Sequence, residues 1–256
     1  MEEKIFIKNA KGLKLAAIFN KPTGDGKFPA VILLGGFIEY KEHPRIEALV
    51  RELEKFGIGA IKFDPSGYGE SEGTIETDYR FSNYISDTQK IFDYLTQLDW
   101  VDRNRIGVCG ESIGGIQALI LNKNNSQIKA LAVISSPTQM GSSGDLRRKY
   151  AGWKEKGYLD RVSSRYGNIR IPFDFIKDAS QYNALDYVPF VKQPILVIYG
   201  TTDVNVPNEA TKKIYNMAPG KKELWIMEGV DHFLNRDPQV IEKVAKKVSD
   251  FFNAEL

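Results

Sequence analysis

The sequence predicts an α/β fold: a mostly parallel sheet of eight strands with helices on both faces. Three observations lead there. Apolar runs alternate with amphipathic segments along most of the chain, the rhythm of strand, crossover helix and next strand. The runs are continuously apolar, as in strands covered on both faces. A chain of 256 residues with 42% hydrophobic and 11% aromatic content can also bury a large core without disulfides or metals. One domain over residues 1–256 is therefore expected.

The elements follow in order. "KIFIKN" and "LKLAAIF" flank the turn "AKG" and read as an antiparallel hairpin, followed by the loop "NKPTGDGKFP". Buried strands are predicted at 30–34, 58–63, 105–110, 131–135, 194–200 and 223–228, and helices at 44–56, 80–98, 113–123, 207–217 and 238–253. Pro44 stands in the first turn of its helix and Gly57 follows the last. Right-handed crossovers place the helices on both sides of the sheet.

Residues 137–180 break this rhythm, because they separate two predicted strands by far more than a loop and one helix. The segment is read as an insertion of the same domain, expected to lie over the carboxyl edge of the sheet as a lid. It carries a net charge of +4, leaving −2 on the rest. Its aromatic residues Trp153, Tyr158, Phe173 and Phe175 are candidates for a substrate wall, with packing of the lid on the body as the equal alternative.

Charge and composition exclude several functions. Lys and Arg number 35 against 33 Asp and Glu, so no global field would hold nucleic acid or an anionic membrane. No apolar stretch approaches the roughly 20 residues of a membrane span, and the acidic start "MEEKIFIKNAKG" is not a secretory signal. Cys109 is the single cysteine, which excludes a disulfide framework and points to the cytoplasm. Two widely spaced histidines make no metal site. No cofactor is expected, and a homodimer is compatible with all of this.

The chemistry is carried by "RIGVCGESIGGIQALIL", in which Ser112 sits where a buried strand stops and a helix starts. A sharp strand-to-helix turn tolerates side chains poorly at Gly110 and Gly114 and lifts the serine oxygen off the sheet edge. A glycine-rich turn that merely packs a helix on a strand would look similar. Two further residues favour catalysis: Asp203 in "YGTTDVNVP" and His232 in "EGVDHF" each lie just past a predicted strand. The carboxyl ends of parallel strands share one edge, so residues 112, 203 and 232 can converge. Serine needs a base to take its proton, and the base needs an acceptor that fixes its tautomer.

The order Ser, Asp, His is that of the α/β-hydrolases, which the chain resembles over nearly its whole length. "DPSGYGES" (64–71) resembles that superfamily's DxxGxGxS loop. "VDRNRIGVCGESIGG" is similar to the approach to the nucleophile in its prolyl-oligopeptidase-like and small-esterase branches, and the insertion is similar to the lid of bacterial cinnamoyl or feruloyl esterases. The resemblance implies an oxyanion hole made by the amides of Phe37 and Ile113. Here "LLGGFIEY" departs from the family in placing Gly35 where a histidine often stands. The implied activity is hydrolysis of a small-molecule carboxylic ester through an acyl-serine intermediate. Aminoacyl or acyl-peptide hydrolysis and thioester cleavage are the enzymatic alternatives, and a non-catalytic ligand-binding protein on this fold is the alternative of another class. His43 is expected in an exposed loop, Cys109 in core packing, Asp64 as a turn-fixing residue, and Glu111 as a solvated carboxylate.

Overall fold

The structure, a computed structural model, describes residues 1–142 and 144–256. Among the described residues ten strands run in chain order: β1 (Glu2–Lys8), β2 (Lys14–Asn20), β3 (Phe28–Leu34), β4 (Gly59–Phe63), β5 (Val101–Glu111), β6 (Ile128–Ile134), β7 (Tyr158–Ser163), β8 (Gly167–Pro172), β9 (Ile195–Gly200) and β10 (Lys222–Met227). The helices are α1 (Pro44–Glu54), α2 (Phe81–Leu95), α3 (Ile113–Asn124), α4 (Gly144–Lys156), α5 (Phe173–Ala179), α6 (Asn208–Met217) and α7 (Pro238–Glu255).

Eight strands form one sheet in the order β1-β2-β4-β3-β5-β6-β9-β10. β1 pairs antiparallel with β2, and β2 with β4. From β4 through β10 every pairing is parallel. β5, which ends next to Ser112, is central.

Alternation along each strand divides the interior into two cores. In β3, Ala30, Ile32 and Leu34 face one core with α2, α3 and α6, whereas Val31 and Leu33 face the other with α1 and α7. Burial on both faces explains why β3, β6 and β9 read as unbroken apolar runs; β10, expected to be buried, is instead the edge strand, with only Met227 buried. Leu53 of α1 is wholly inaccessible, a burial that stabilises by about 1.5–3 kcal/mol. Gly107 in β5 gives Phe252 of α7 its seat: a Cβ there would lie 2.5 Å from the phenyl ring.

The insertion between β6 and β9 contains α4, the antiparallel hairpin β7-β8 and α5. Of its aromatic residues, Trp153 and Phe175 enter the first core and Tyr150 and Phe173 pack against it. Trp153 and Phe175 are buried, and the Trp153 indole N–H donates to the Ile171 carbonyl at 2.9 Å. No helix among the described residues is long and apolar enough to cross a membrane.

Candidate active site

Ser112 closes β5 and opens α3 with φ 53° and ψ −121°, a conformation that strains any residue but glycine. Its N–H donates to the Ile134 carbonyl at 2.8 Å, and its own carbonyl accepts from the Gly115 N–H at 3.0 Å. A Cβ on Gly110 would meet the Gly114 carbonyl oxygen at 2.1 Å, and one on Gly114 would meet that of Leu34 at 2.3 Å. The turn therefore requires both glycines. The Ser112 side chain makes no capping bond to α3, and Ser112 and His232 line the same cleft of about 1780 Å³.

Asp203 and His232 follow β9 and β10. Asp203 is buried and accepts three hydrogen bonds: Oδ1 from the N–H groups of Asn205 and Val206 at 2.9 and 2.8 Å, and Oδ2 from His232 Nδ1 at 2.7 Å. A carboxylate can only accept, so Nδ1 carries the imidazole proton and Nε2 is left as the acceptor. No hydrogen bond joins Ser112 Oγ to His232 among the described residues. Serine, histidine and aspartate are thus gathered at one edge, with the last step from imidazole to hydroxyl open.

Phe37 and Ile113 also line the cleft, and neither backbone N–H has an acceptor among the described residues. Trp153, Tyr158, Phe173 and Phe175 do not line it, a correction to their reading as a substrate wall. Phe175 stacks on Tyr79 at 4.8 Å and packs on Phe37 at 4.9 Å, Trp153 lies 6.3 Å from Phe37, and Tyr158 carries the Arg170 guanidinium at 4.5 Å. The large rings gain more by joining the core than by facing water. The insertion meets the cleft instead through residues such as Met140, Leu146, Arg161 and Val162.

Two further expectations are corrected. His43 is half-buried, lines the cleft, and accepts weakly from the Arg45 N–H at 3.4 Å as the cap of α1. Burial pushes its imidazole below the ordinary value, against the opposing pull of Glu111. Glu111 is buried and pairs with Arg45 Nη2 at 3.1 Å, and the same nitrogen pairs with Glu39. The sequence reading missed Glu39 and Arg45. A signal was present, because a cation in the first turn of a helix opposes the helix dipole and needs another reason to be there. Cys109 is buried and its thiol is pushed well up by that burial, as expected of a packing residue. Asp64 fixes its turn, accepting from the N–H groups of Lys41 and Glu70 at 2.8 Å each.

The sheet order, the helices on both faces and the elbow at Ser112 define an α/β-hydrolase fold. The chain belongs to the prolyl oligopeptidase family, whose model matches residues 75–256. It is 22% identical over 94% of its length to an uncharacterized 31.7 kDa Escherichia coli protein of the traX-finO intergenic region, covering 96% of that protein. It is 25% identical over 86% of its length to the α/β hydrolase domain-containing protein WAV2 of Arabidopsis thaliana, covering 67% of it. Among solved structures it is similar to Est1E from Butyrivibrio proteoclasticus with ferulic acid bound, at a TM-score of 0.80 and 22% identity over 98% of this chain and 99% of that one. Fold and family make it a hydrolase.

Proposed function

We propose that the protein is a serine esterase that cleaves small to medium acyl or aryl carboxylic esters through an acyl-serine intermediate. The observation that carries this reading is the Ser112 side chain, raised by a strained turn into the cleft that also receives the Asp203-bonded imidazole of His232. Ser112 Oγ attacks the ester carbonyl while His232 Nε2 takes its proton, and the amides of Phe37 and Ile113 receive the oxyanion. His232 then gives the proton to the departing alcohol. In the second half it activates water, which releases the acid and restores Ser112. Asp203 holds the imidazole tautomer and stabilises its charged form. The open Ser112 to His232 step is one that tightens when substrate binds.

Residues 137–180 act in this reading as a lid of the same domain, since several of their side chains face the cleft. One observation favours a second reading: the family is that of prolyl oligopeptidase, and the same groups can cleave an amide. A fluorophosphonate probe tests the nucleophile. Labelling of the wild type and none of Ser112→Ala is expected, and equal labelling of both would remove Ser112 from the mechanism. A panel of p-nitrophenyl, hydroxycinnamoyl, thioester and aminoacyl-amide substrates then separates esterase from thioesterase and peptidase. The highest kcat/KM is expected for an oxygen ester.

A further inference from the structure

The loop after β3 presents three consecutive amides beside the nucleophile, and they are treated differently. The Gly36 N–H donates to Glu39 Oε2 at 2.6 Å, and the Ile38 N–H donates to the Tyr79 hydroxyl at 2.8 Å. The Phe37 N–H between them has no acceptor among the described residues. The loop is strained, since Ile38 has φ 56°, an outlier for a β-branched residue. Two tyrosines hold it there: Tyr79 takes the Ile38 N–H, and the Tyr68 hydroxyl donates to the Ile38 carbonyl at 2.8 Å. The loop also lies against the nucleophile, because a Cβ on Gly36 would come within 3.3 Å of Ser112 Cβ.

We propose that Glu39 and Tyr79 are positioning residues that occupy the amides on either side of Phe37, leaving one free N–H aimed at the substrate oxygen. The inference rests on the serine esterase reading above and adds to it the side chains that shape its oxyanion hole. Glu39 is unsuited to proton transfer, because one oxygen is taken by Gly36 and the other by Arg45. Arg45 extends the device. It pairs with Glu39 on the oxyanion loop and with Glu111, the residue before Ser112. One buried guanidinium thereby ties the loop that would bind the oxyanion to the strand that delivers the nucleophile. Such hydrogen bonds to charged groups are stronger than neutral ones, and the distance between donor and attacked carbon depends on both ends of the tie.

The test compares Glu39→Ala with Glu39→Gln, because the amide oxygen of glutamine can still accept the Gly36 N–H. With p-nitrophenyl butyrate, Glu39→Ala is expected to lower kcat by about 10–100-fold while KM stays within about twofold, since a misaimed donor is felt chiefly in the transition state. Glu39→Gln keeps the Gly36 acceptor but turns its amide NH2 toward Arg45 and gives up that pair, so its loss of kcat should be clearly smaller than that of Glu39→Ala without being absent. Tyr79→Phe keeps the ring stacked on Phe175 and deletes only the acceptor, so it should behave like Glu39→Ala and carries the test should that variant fail to fold. Amide hydrogen exchange supplies a readout besides turnover. Gly36 should be slow to exchange in the wild type and fast in Glu39→Ala, and Ile38 likewise in Tyr79→Phe. Wild-type kcat in folded Glu39→Ala or Tyr79→Phe, equal losses in the alanine and glutamine variants, or a loss confined to KM would each overturn the proposal. Ser112→Ala measured alongside separates the two readings: if ester turnover survives in it, the serine mechanism fails and this inference with it, whereas turnover that depends on Ser112 but ignores Glu39 and Tyr79 removes the inference alone.

Discussion

Ser112 and His232 are useful to each other only as a unit, because the hydroxyl is a weak nucleophile until the imidazole accepts its proton. Ser112→Ala and His232→Ala should therefore each lower kcat on the order of 10⁴-fold, and the double variant should be little worse than either. Steady-state kinetics checks this, and losses that multiply would mean that the two residues act separately. His43, the other histidine in the cleft, offers a control. Burial lowers its pKa from 6.5, so the neutral imidazole is favoured in the folded protein and its protonation begins at lower pH than in the unfolded chain. His43→Gln should leave the acidic limb of kcat/KM in place, and a limb that vanished in this variant would make His43 the base.

At the level of elements, the strand ends were the legible part. β9 and the second half of β5 could be read from unbroken apolar runs and β10 from the shorter run Leu224–Met227, and the residues just beyond them were placed at one edge because parallel strands share an edge. Gly110 and Gly114 were legible for a related reason: the turn between β5 and α3 brings backbone against backbone. Gly114→Ala should thus destabilise by at least about 3 kcal/mol, because its Cβ would meet the Leu34 carbonyl oxygen at 2.3 Å, where no side chain can move aside. Chemical denaturation of this variant measures that cost. The interior of the insertion was not legible. β7, β8 and α5 are short and amphipathic, so their apolar residues could face a cleft or a core with the same pattern. What decides for Phe175 is the presence of Tyr79 and Phe37, distant in sequence. Glu39 was hidden in the same way, since its role depends on Arg45 and on a tight turn at Gly36.

Over the whole molecule, Glu70 joins three parts that chain order keeps apart. Its carboxylate pairs with Lys4 of β1 at 2.8 Å, with the buried Lys41 beyond β3, and with Arg165 of the insertion at 3.5 Å. Nearby, the Tyr68 hydroxyl bonds Ser163 at 2.7 Å and Tyr166 bonds the Gly69 carbonyl, so the tip of the β7-β8 hairpin is fastened to the loop after β4. Hydrogen bonds from Lys4 and Lys41 hold the Glu70 carboxyl down at about 2, against an ordinary value of 4.5. A carboxyl whose pKa is depressed by folding contributes stability that is complete above its unfolded value and is lost as pH falls through its folded value. The window here runs from about 4.5 down to about 2. Glu70 is partly exposed, so solvent and salt screen the effect, and a difference in Tm of a few degrees at most is expected. Glu70→Gln should melt below the wild type at neutral pH, and the gap between the two should close as pH is lowered through that window. Thermal melts of both proteins across pH 2–7 decide it: a gap that stays constant to the acid end would show that Glu70 contributes by packing or neutral hydrogen bonding, and that its charge does not fasten the insertion to the body.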